Sequence, residues 1–538
     1  MERIAHLSAV FSFPTSKHRP LSFSPFSLPP ISYISEREVA NKKSRSSRTD
    51  SDDFNIATKT LKLNPEISPH RAVSAVRLMR IEFGGAFSDL LNEQCKGSDD
   101  NEMRYIERTL GFRTRDLDNR DRRLVTEIVG GTIRWKRYLD YLILSLFHDE
   151  KIFRNMEPLL LQILRIGFYE IVHLQMPPYA VVDENVKLAN AALRRGAGNM
   201  VNAVLRKLVI LKKNQSLPTP KVDGDERQKA RALATIHSHP VWMVRRWINL
   251  LGVEEAVKLM KWNNSEPFFS LRANTVKGFT RADLSRELEI LKVPHELSRN
   301  LNDFVRIKTG LQVVKQAGFL EKGLCSVQDE SAGLVVEVVD PKPGERIIDC
   351  CAAPGGKTLF MASRLKGRGS ISAIDINEGR LRILKEAAEL HAVDDLITTV
   401  HADLRLLAVE NGNMMAADKV LLDAPCSGLG VLSKSRFTVE KETGRHGTAK
   451  QLAGFTSRFS FDNSLVKPGG VLIYSTCSID PVENQQRIAA FLMRHQEFKI
   501  DPVDGYVPSD FVTGDGFYRS DPIKNSLDGG FAARLVRL

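Results

Sequence analysis

The sequence predicts an α/β protein built in three parts: an all-α bundle, a small α+β connecting domain, and a C-terminal doubly wound domain with a mostly parallel sheet. Two observations carry this prediction. From Cys325 onward, short apolar runs (RIIDCC, SISAID, TTVHAD, KVLLDA, VLIYSTC) alternate with helical stretches such as GRLRILKEAAELHA. From about Ser68 to Leu211, apolar residues instead recur at three- and four-residue steps. At 538 residues the chain has room for roughly three or four domains of about 150 residues each.

The first 35 residues hold eight serines, several prolines and a single acid, Glu2, with no apolar block of the kind a secretory signal needs. That composition predicts an organellar transit peptide. Abundant Ser with little Arg favours a chloroplast address over a mitochondrial one. The polar stretch from Asn41 to Phe54 extends the segment, so residues 1–66 are expected to be transit peptide and disordered tail. Residues 67–211 form the helical domain. Its clearest stretch is PLLLQILRIGFYEIV, where Leu160, Ile163, Leu164, Phe168, Ile171 and Val172 make one buried face. Further helices are expected around Ala72–Glu93, Asp121–Phe147 and Val181–Leu208. Residues 212–232, polar and Pro-containing, are expected to be a linker. Residues 233–324 give the small α+β domain, with Trp242 and Trp247 assigned to its core. Residues 325–538 give the doubly wound domain.

A formal charge of +12 fits a polyanionic partner such as RNA. The six cysteines, Cys95, Cys325, Cys350, Cys351, Cys426 and Cys477, contain no CxxC pair and are too sparse for a secreted scaffold. They are expected to be reduced thiols, with neither a disulfide framework nor a metal site. No apolar run approaches the ~18 residues of a membrane span.

Ligands of doubly wound sheets bind beyond the carboxyl ends of the strands, and the chemically interesting residues stand there. In RIIDCCAAPGGKT, Gly355 and Gly356 let backbone approach a ligand, and the helix that follows offers free N–H groups. The loop alone leaves dinucleotides, nucleotides and S-adenosylmethionine open; GxxxxGK[ST] is absent. Asp375, Asp403 and Asp423 each close a strand-like run. Such carboxylates suit ribose hydroxyls, an adenine amino group and a substrate base in turn, although any one of them could merely cap a helix. Two cysteines, Cys426 and Cys477, stand at strand ends beside Asp423. A thiolate can add to C6 of a pyrimidine and make C5 rich enough in electrons to take a methyl group from a sulfonium. These residues alone do not tell which thiol attacks.

DCCAAPGGKT, Asp375, Asp403, DAPCSG, YSTCSIDPVENQQRIAAFL and the closing DGGFAARL resemble the RNA cytosine-C5 methyltransferases of the NOL1/NOP2/Sun type. DRRLVTEIVGGTIRWKRYLDYLI, QMPPYAVVDENVKLAN and NMVNAVLRKL resemble a NusB-like RNA-binding domain. Together they resemble the Sun/Fmu/RsmB branch, whose bacterial members methylate a cytosine of 16S ribosomal RNA. The resemblance implies a Rossmann-like methyltransferase domain, S-adenosyl-L-methionine as cofactor and small-subunit rRNA as partner. It implies Cys477 as nucleophile, Cys426 as the residue assisting product release, and cofactor contacts from Cys351, Ala352, Ala353, Pro354, Gly355, Gly356, Lys357, Asp375, Asp403 and Asp423. Rival expectations are the same chemistry on tRNA and a non-catalytic RNA-binding or ribosome-assembly protein that keeps the fold.

One stretch breaks the family pattern. After GLGVLSKS the family continues with a basic stretch, an Asp, an Arg-Trp pair and an amphipathic helix leading to LVKPGG. Here RFTVEKETGRHGTAKQLAGFTSRFSFDNS has no helical apolar stripe. Permissible codons read one base later turn Ser435–Val439 into Ala-Asp-Leu-Arg-Trp and restore spaced leucines further on. Ordinary divergence of a surface loop is one explanation; the sharper expectation is that residues 435–464 come from a gene-model or splicing error, or from two compensating indels.

Overall fold

The computed structural model describes residues 61–83, 99–147, 149–404, 416–434 and 463–538. The expected transit peptide up to Thr60, Cys95 and residues 435–462 of the anomalous stretch lie outside the described residues.

Helices Pro69–Phe83, Asn119–Ser145, Pro158–Val172, Pro178–Ala192 and Ala197–Lys213 share one apolar core. At its centre lies Pro158–Val172, where Leu160, Ile163, Leu164, Ile166 and Phe168 are all buried. A helix that is apolar on most of its circumference has to be surrounded. Its one buried guanidinium, Arg165, is answered by a two-pronged bond to Asp140 at 2.7 and 2.8 Å. Two expectations need correction here. Leu61–Glu66 does not belong to a disordered tail, because Leu63 bridges Arg113 and the Asn64 N–H donates to Arg113 O at 2.8 Å. The helix expected over Val181–Leu208 is two helices, broken after Ala192, with Gly196 at φ 91° as the cap of the second.

The expected linker also ends early. Asp225 and Gln228 form a reciprocal capping box that starts a helix at Glu226. Two further helices, Val241–Leu251 and Val253–Asn264, meet at Gly252 (φ 81°). Trp247 is buried between them, and Trp242 packs partly buried against the same cluster, so both belong to packing. Strands β1 (Phe269–Ala273), β2 (His295–Leu297), β3 (Phe304–Ile307) and β4 (Cys325–Val327) follow. They form an antiparallel sheet in the order β2-β3-β1-β4. Cys325, assigned above to the C-terminal domain, pairs with Ala273 in this small sheet and buries its thiol in that sheet's core.

The C-terminal part contains β5 (Arg346–Cys350), β6 (Ser370–Asp375), β7 (Ile397–His401), β8 (Ala417–Asp423), β9 (Val466–Thr476), β10 (Phe498–Ile500), β11 (Tyr518–Ser520) and β12 (Gly530–Arg537). The strand order is β10-β12-β9-β8-β5-β6-β7, with β11 added on β12. Pairing is parallel from β7 through β9, and β12 runs antiparallel to β9, β10 and β11. Each expected strand from RIIDCC to VLIYSTC is present. Helices Glu330–Val339 and Gly356–Arg364 cover part of the sheet and contribute Leu334, Val335, Leu359 and Phe360 to its core. Among the described residues no helix is long and apolar enough to cross a membrane.

Candidate active site

From β5 the chain builds β6 and β7 on one side, then returns to place β8 and β9 on the other. The sheet's switch point therefore lies between β5 and β8, where a ligand crevice opens at the carboxyl ends. The turn after β5 carries Cys351 at φ 66° and Gly355 at φ 110° before the helix starting at Gly356. At Gly355 a β-carbon would come within 2.8 Å of Leu384, whereas at Gly356 the nearest atom would be Gln328 Nε2 at 3.9 Å. The backbone at Gly356 thus faces open space. That Gln328 nitrogen is buried and has no hydrogen-bond partner among the described residues.

Asp375, at the end of β6, accepts from the Ala353 N–H at 3.2 Å and the Asn377 N–H at 2.9 Å. These bonds fix its carboxylate beside the turn. The next residue, Ile376, is 61% exposed and lays an apolar surface alongside. Asp403 stands two residues beyond β7 and is half-buried. A fixed carboxylate for hydroxyls, open backbone at a helix start for an anion, and an apolar face for a ring together fit S-adenosylmethionine. Asp349, inside β5, is held by Thr358 Oγ1 at 2.7 Å, and burial pushes its pKa up to about 7. Burial likewise pushes the Cys351 thiol up to about 12, which leaves it protonated and unreactive.

Across the switch point, Lys357 Nζ donates to Asp423 Oδ2 at 2.6 Å, and Ser475 Oγ donates to Asp423 Oδ1 at 2.7 Å. Burial works against the Lys357 ammonium, but the charge and hydrogen bond of Asp423, with help from Cys477 and Asp349, together raise its pKa. Beside this pair, Cys426 Sγ lies 3.2 Å from Cys477 Sγ. Cys477 is exposed, while Cys426 is half-buried. The hydrogen bond from Cys426 stabilises the Cys477 thiolate and lowers its pKa, with a smaller contribution from the Lys357 charge. The same bond, together with burial, drives Cys426 the opposite way. The two thiols are thus driven in opposite directions, Cys477 towards the thiolate and Cys426 towards the protonated form.

Several residues that hold these thiols carried no assigned role in the sequence reading. Glu483 accepts from the Ser427 N–H at 2.9 Å and from Ser427 Oγ at 2.6 Å, which clamps the residue after Cys426. Asn484 takes the Thr476 hydroxyl at 2.6 Å and donates to Ser478 O at 2.8 Å, which fixes both neighbours of Cys477. Gly430 N–H donates to Cys477 O at 3.0 Å and Gly529 N–H donates to Gly430 O at 2.8 Å. A β-carbon at Gly430 would sit 2.2 Å from Gly529 O, so this close seam requires glycine. Lys434 closes the loop by pairing with Asp329 at 2.5 Å and Asp528 at 2.8 Å. DPVEN and DGGF were quoted in the sequence, so Glu483, Asn484 and Asp528 were visible as motif residues. Nothing local announces that Lys434 meets Asp329, more than 100 positions away.

The other two parts of the chain reach this site as well. Leu429 and Leu432, each 1% exposed, pack into the apolar cluster of the 241–264 helices with Met243, Val244 and Trp247. Arg246 pairs with Asp480, and Arg134 of the helical bundle donates to Ser433 O at 2.7 Å. The Cys426 loop is thus held from three sides. Of the residues proposed from sequence, Asp423, Cys426, Cys477 and Lys357 come together in one cluster, and Asp375 adjoins the Cys351–Gly356 turn. Asp403 follows β7, next to Ala402, whose N–H donates to Asp375 O at 3.3 Å. Among the described residues no group of three or more His, Cys, Asp or Glu could hold a metal ion.

A parallel sheet with one reversed strand near its edge, an acidic residue after the second strand and an open turn after the first define a Rossmann-like methyltransferase. Comparison with known proteins places it further. The family model for the 16S rRNA methyltransferase RsmB/F matches residues 335–536, that of the NusB family residues 35–209, and that of the RsmF/B-like ferredoxin-like domain residues 239–314. The chain is 31% identical over 435 residues to the probable ribosomal RNA small subunit methyltransferase B of Bacillus subtilis (strain 168), covering 80% of this chain and 90% of that protein. It is 31% identical to the protein of the same description in Synechocystis sp. (strain ATCC 27184 / PCC 6803 / Kazusa), covering 78% of this chain and 91% of that one. The solved structure titled "Crystal Structure of PH0851" is similar at a TM-score of 0.64 and 26% identity, covering 87% of this chain and 99% of that chain. The chain belongs to the RsmB/F family of rRNA methyltransferases, enzymes that take their methyl group from S-adenosylmethionine.

Proposed function

We propose that this protein is a plastid enzyme that methylates C5 of a cytosine in small-subunit (16S-type) ribosomal RNA through a covalent Cys477–C6 adduct. The observation that carries this reading is the pair of thiols 3.2 Å apart beside the Lys357–Asp423 pair at the mouth of the crevice. A single nucleophile would need only one of them.

S-adenosylmethionine, when bound, supplies an electrophilic methyl group. The Cys477 thiolate adds to C6, and the electron pair moves onto C5 as hydrogen bonding from the Lys357–Asp423 pair relieves charge around N3. C5, so enriched, would displace the methyl group from the bound sulfonium, whose carbon–sulfur bond would break with its electron pair left on sulfur. Transfer of the C5 proton to water leaves its electron pair to form the C5–C6 double bond, and the C6–S bond breaks to expel Cys477 as the thiolate, which the Cys426 S–H can meet with a hydrogen bond. Cys426, against the same face, assists that elimination. Cys351–Lys357, Asp375, Asp403 and Asp423 line the cofactor side. The serine-rich, acid-poor N-terminus supports the plastid assignment.

Bisulfite sequencing of organellar RNA with and without the protein tests the proposal. The expected result is one small-subunit rRNA cytosine that loses its methyl group in the absence of the protein. Loss at a tRNA cytosine instead moves the same chemistry to another RNA.

A further inference from the structure

Away from the crevice, a groove of about 460 Å³ lies where the 253–264 helix, the start of β1, the loop after β3 and the Pro522–Asn525 helix meet. Its apolar walls include Trp262, Phe268 and Ile523, and Lys258, Lys261 and Lys308 stand exposed around it. Lys258 pairs with Glu255 at 2.7 Å. Lys261 and Lys308 make no ion pair among the described residues, and Glu266 is the one acid on the groove's lining. The Trp262 indole N–H has no hydrogen-bond partner there either. Arg306 fixes one wall by lying 4.9 Å from the centre of the Phe268 ring while donating to Ser526 O at 2.6 Å.

The groove is wired to the thiols. Ser526 leads through Asp528, which binds Lys434, to Gly529, whose N–H donates to Gly430 O; Gly430 in turn donates to Cys477 O. Trp262 and Phe268 also border a narrow crevice against Ser433 and Lys434.

We infer that this groove is an RNA subsite that takes one unpaired nucleotide near the target base, its base on Trp262 and Phe268 and its phosphates at Lys261 and Lys308. The inference rests on the RNA methyltransferase reading above. Aromatic walls accept any base by its face, and the excess of ammonium groups complements a phosphodiester backbone. The volume falls within the roughly 300–1,000 Å³ of sites that enclose small ligands. The cofactor crevice, at the ends of β5 and β6, is a separate place.

Full-length protein and an unmodified small-subunit rRNA transcript test this in two measurements, methyl-transfer kinetics and RNA affinity as a function of salt. The Lys261→Ala/Lys308→Ala double variant, at two exposed positions, should raise KM for the transcript about tenfold and leave kcat unchanged within twofold. Its log–log salt slope should be shallower by about 1.4, two single-strand phosphate contacts at ~0.7 each. Trp262→Leu should weaken binding about tenfold through lost stacking, and Trp262→Phe should restore most of it. A double variant with wild-type KM and salt slope overturns the groove and leaves the methyltransferase reading standing. Wild-type protein that binds RNA through Lys261 and Lys308 but never methylates it leaves the groove standing and removes that reading. Wild-type protein that binds no RNA overturns the inference.

Discussion

Replacing Lys434 with Met should uncouple chemistry from cofactor binding. Lys434 is the described end of the Cys426 loop, and its ammonium stands between Asp329 and Asp528, both of them mostly buried. Burial opposes its charge, yet the two carboxylates raise its pKa. Breaking a buried pair by removing one partner costs ~3–5 kcal/mol, because a charge is left stranded. Here two carboxylates would be stranded together, and Asp528, whose pKa is already raised by burial and by Asp329, can relieve the strain by taking a proton. The low end, about 3 kcal/mol, is therefore expected. That energy falls on the loop, where Gly430 holds Cys477 O and Ser427 holds Glu483. A displacement of ~1 Å at reacting groups costs on the order of 100-fold in rate. Single-turnover transfer of tritiated methyl should accordingly slow about 100-fold, with S-adenosylmethionine affinity by calorimetry unchanged within twofold. Adding Asp528→Asn removes one stranded charge and should recover about tenfold of the rate. A rate within threefold of wild type, or a parallel loss of cofactor affinity, would refute the reasoning.

Other consequences can be measured directly. Burial raises the folded pKa of Asp349 to about 7, against about 3.9 for a free aspartate side chain, so between those values the folded state holds a proton that the unfolded state has lost. Its stabilising contribution is complete below pH ~4 and is lost as pH rises to ~7, about 4 kcal/mol in all. Urea titrations at pH 5 and 8 should show a smaller fall for Asp349→Asn than for wild type; equal falls would contradict this. Because the bond from Cys426 lowers the Cys477 pKa, Cys426→Ala should move the rise of adduct formation with pH to higher pH. A profile that stays in place would show that Cys426 does not tune the nucleophile. Restoring the shifted reading frame over residues 435–464 should raise methyl transfer about 100-fold, if the stretch as encoded leaves the thiols poorly supported. Equal activity of the two chains, or a transcript that encodes the residues as they stand, would sink the frame-shift expectation.

The strand-to-strand rhythm made the C-terminal fold legible in the sequence, because buried parallel strands appear as short apolar runs whatever lies around them. Asp423, Cys426 and Cys477 were legible as residues at strand ends, and the β8–β9 pairing explains why two stretches some 50 positions apart share one site. Element boundaries were less so. The continuous apolar periodicity of Val181–Leu208 hides the break at Leu193–Gly196, which depends on a backbone conformation instead of on composition. Cys325–Val327 looks like the first strand of the large sheet; only its pairing with Leu271–Ala273 assigns it to the small one. The supports of the thiols, Arg246 to Asp480, Arg134 to Ser433 and Lys434 to Asp329, are contacts between distant segments, and no local pattern encodes them. The family resemblance implied Lys357 as a cofactor residue, and its bond to Asp423 across the switch point had no signal in the sequence.

The central claim is that Cys477 attacks the base and Cys426 serves its release. The most direct measurement is gel retention of denaturation-resistant protein–RNA adduct after incubation with S-adenosylmethionine and unmodified small-subunit rRNA. Cys426→Ala should accumulate the adduct, and Cys426→Ala/Cys477→Ala should form none. Adduct that persists in the double variant, or that accumulates in Cys477→Ala instead, would contradict the account.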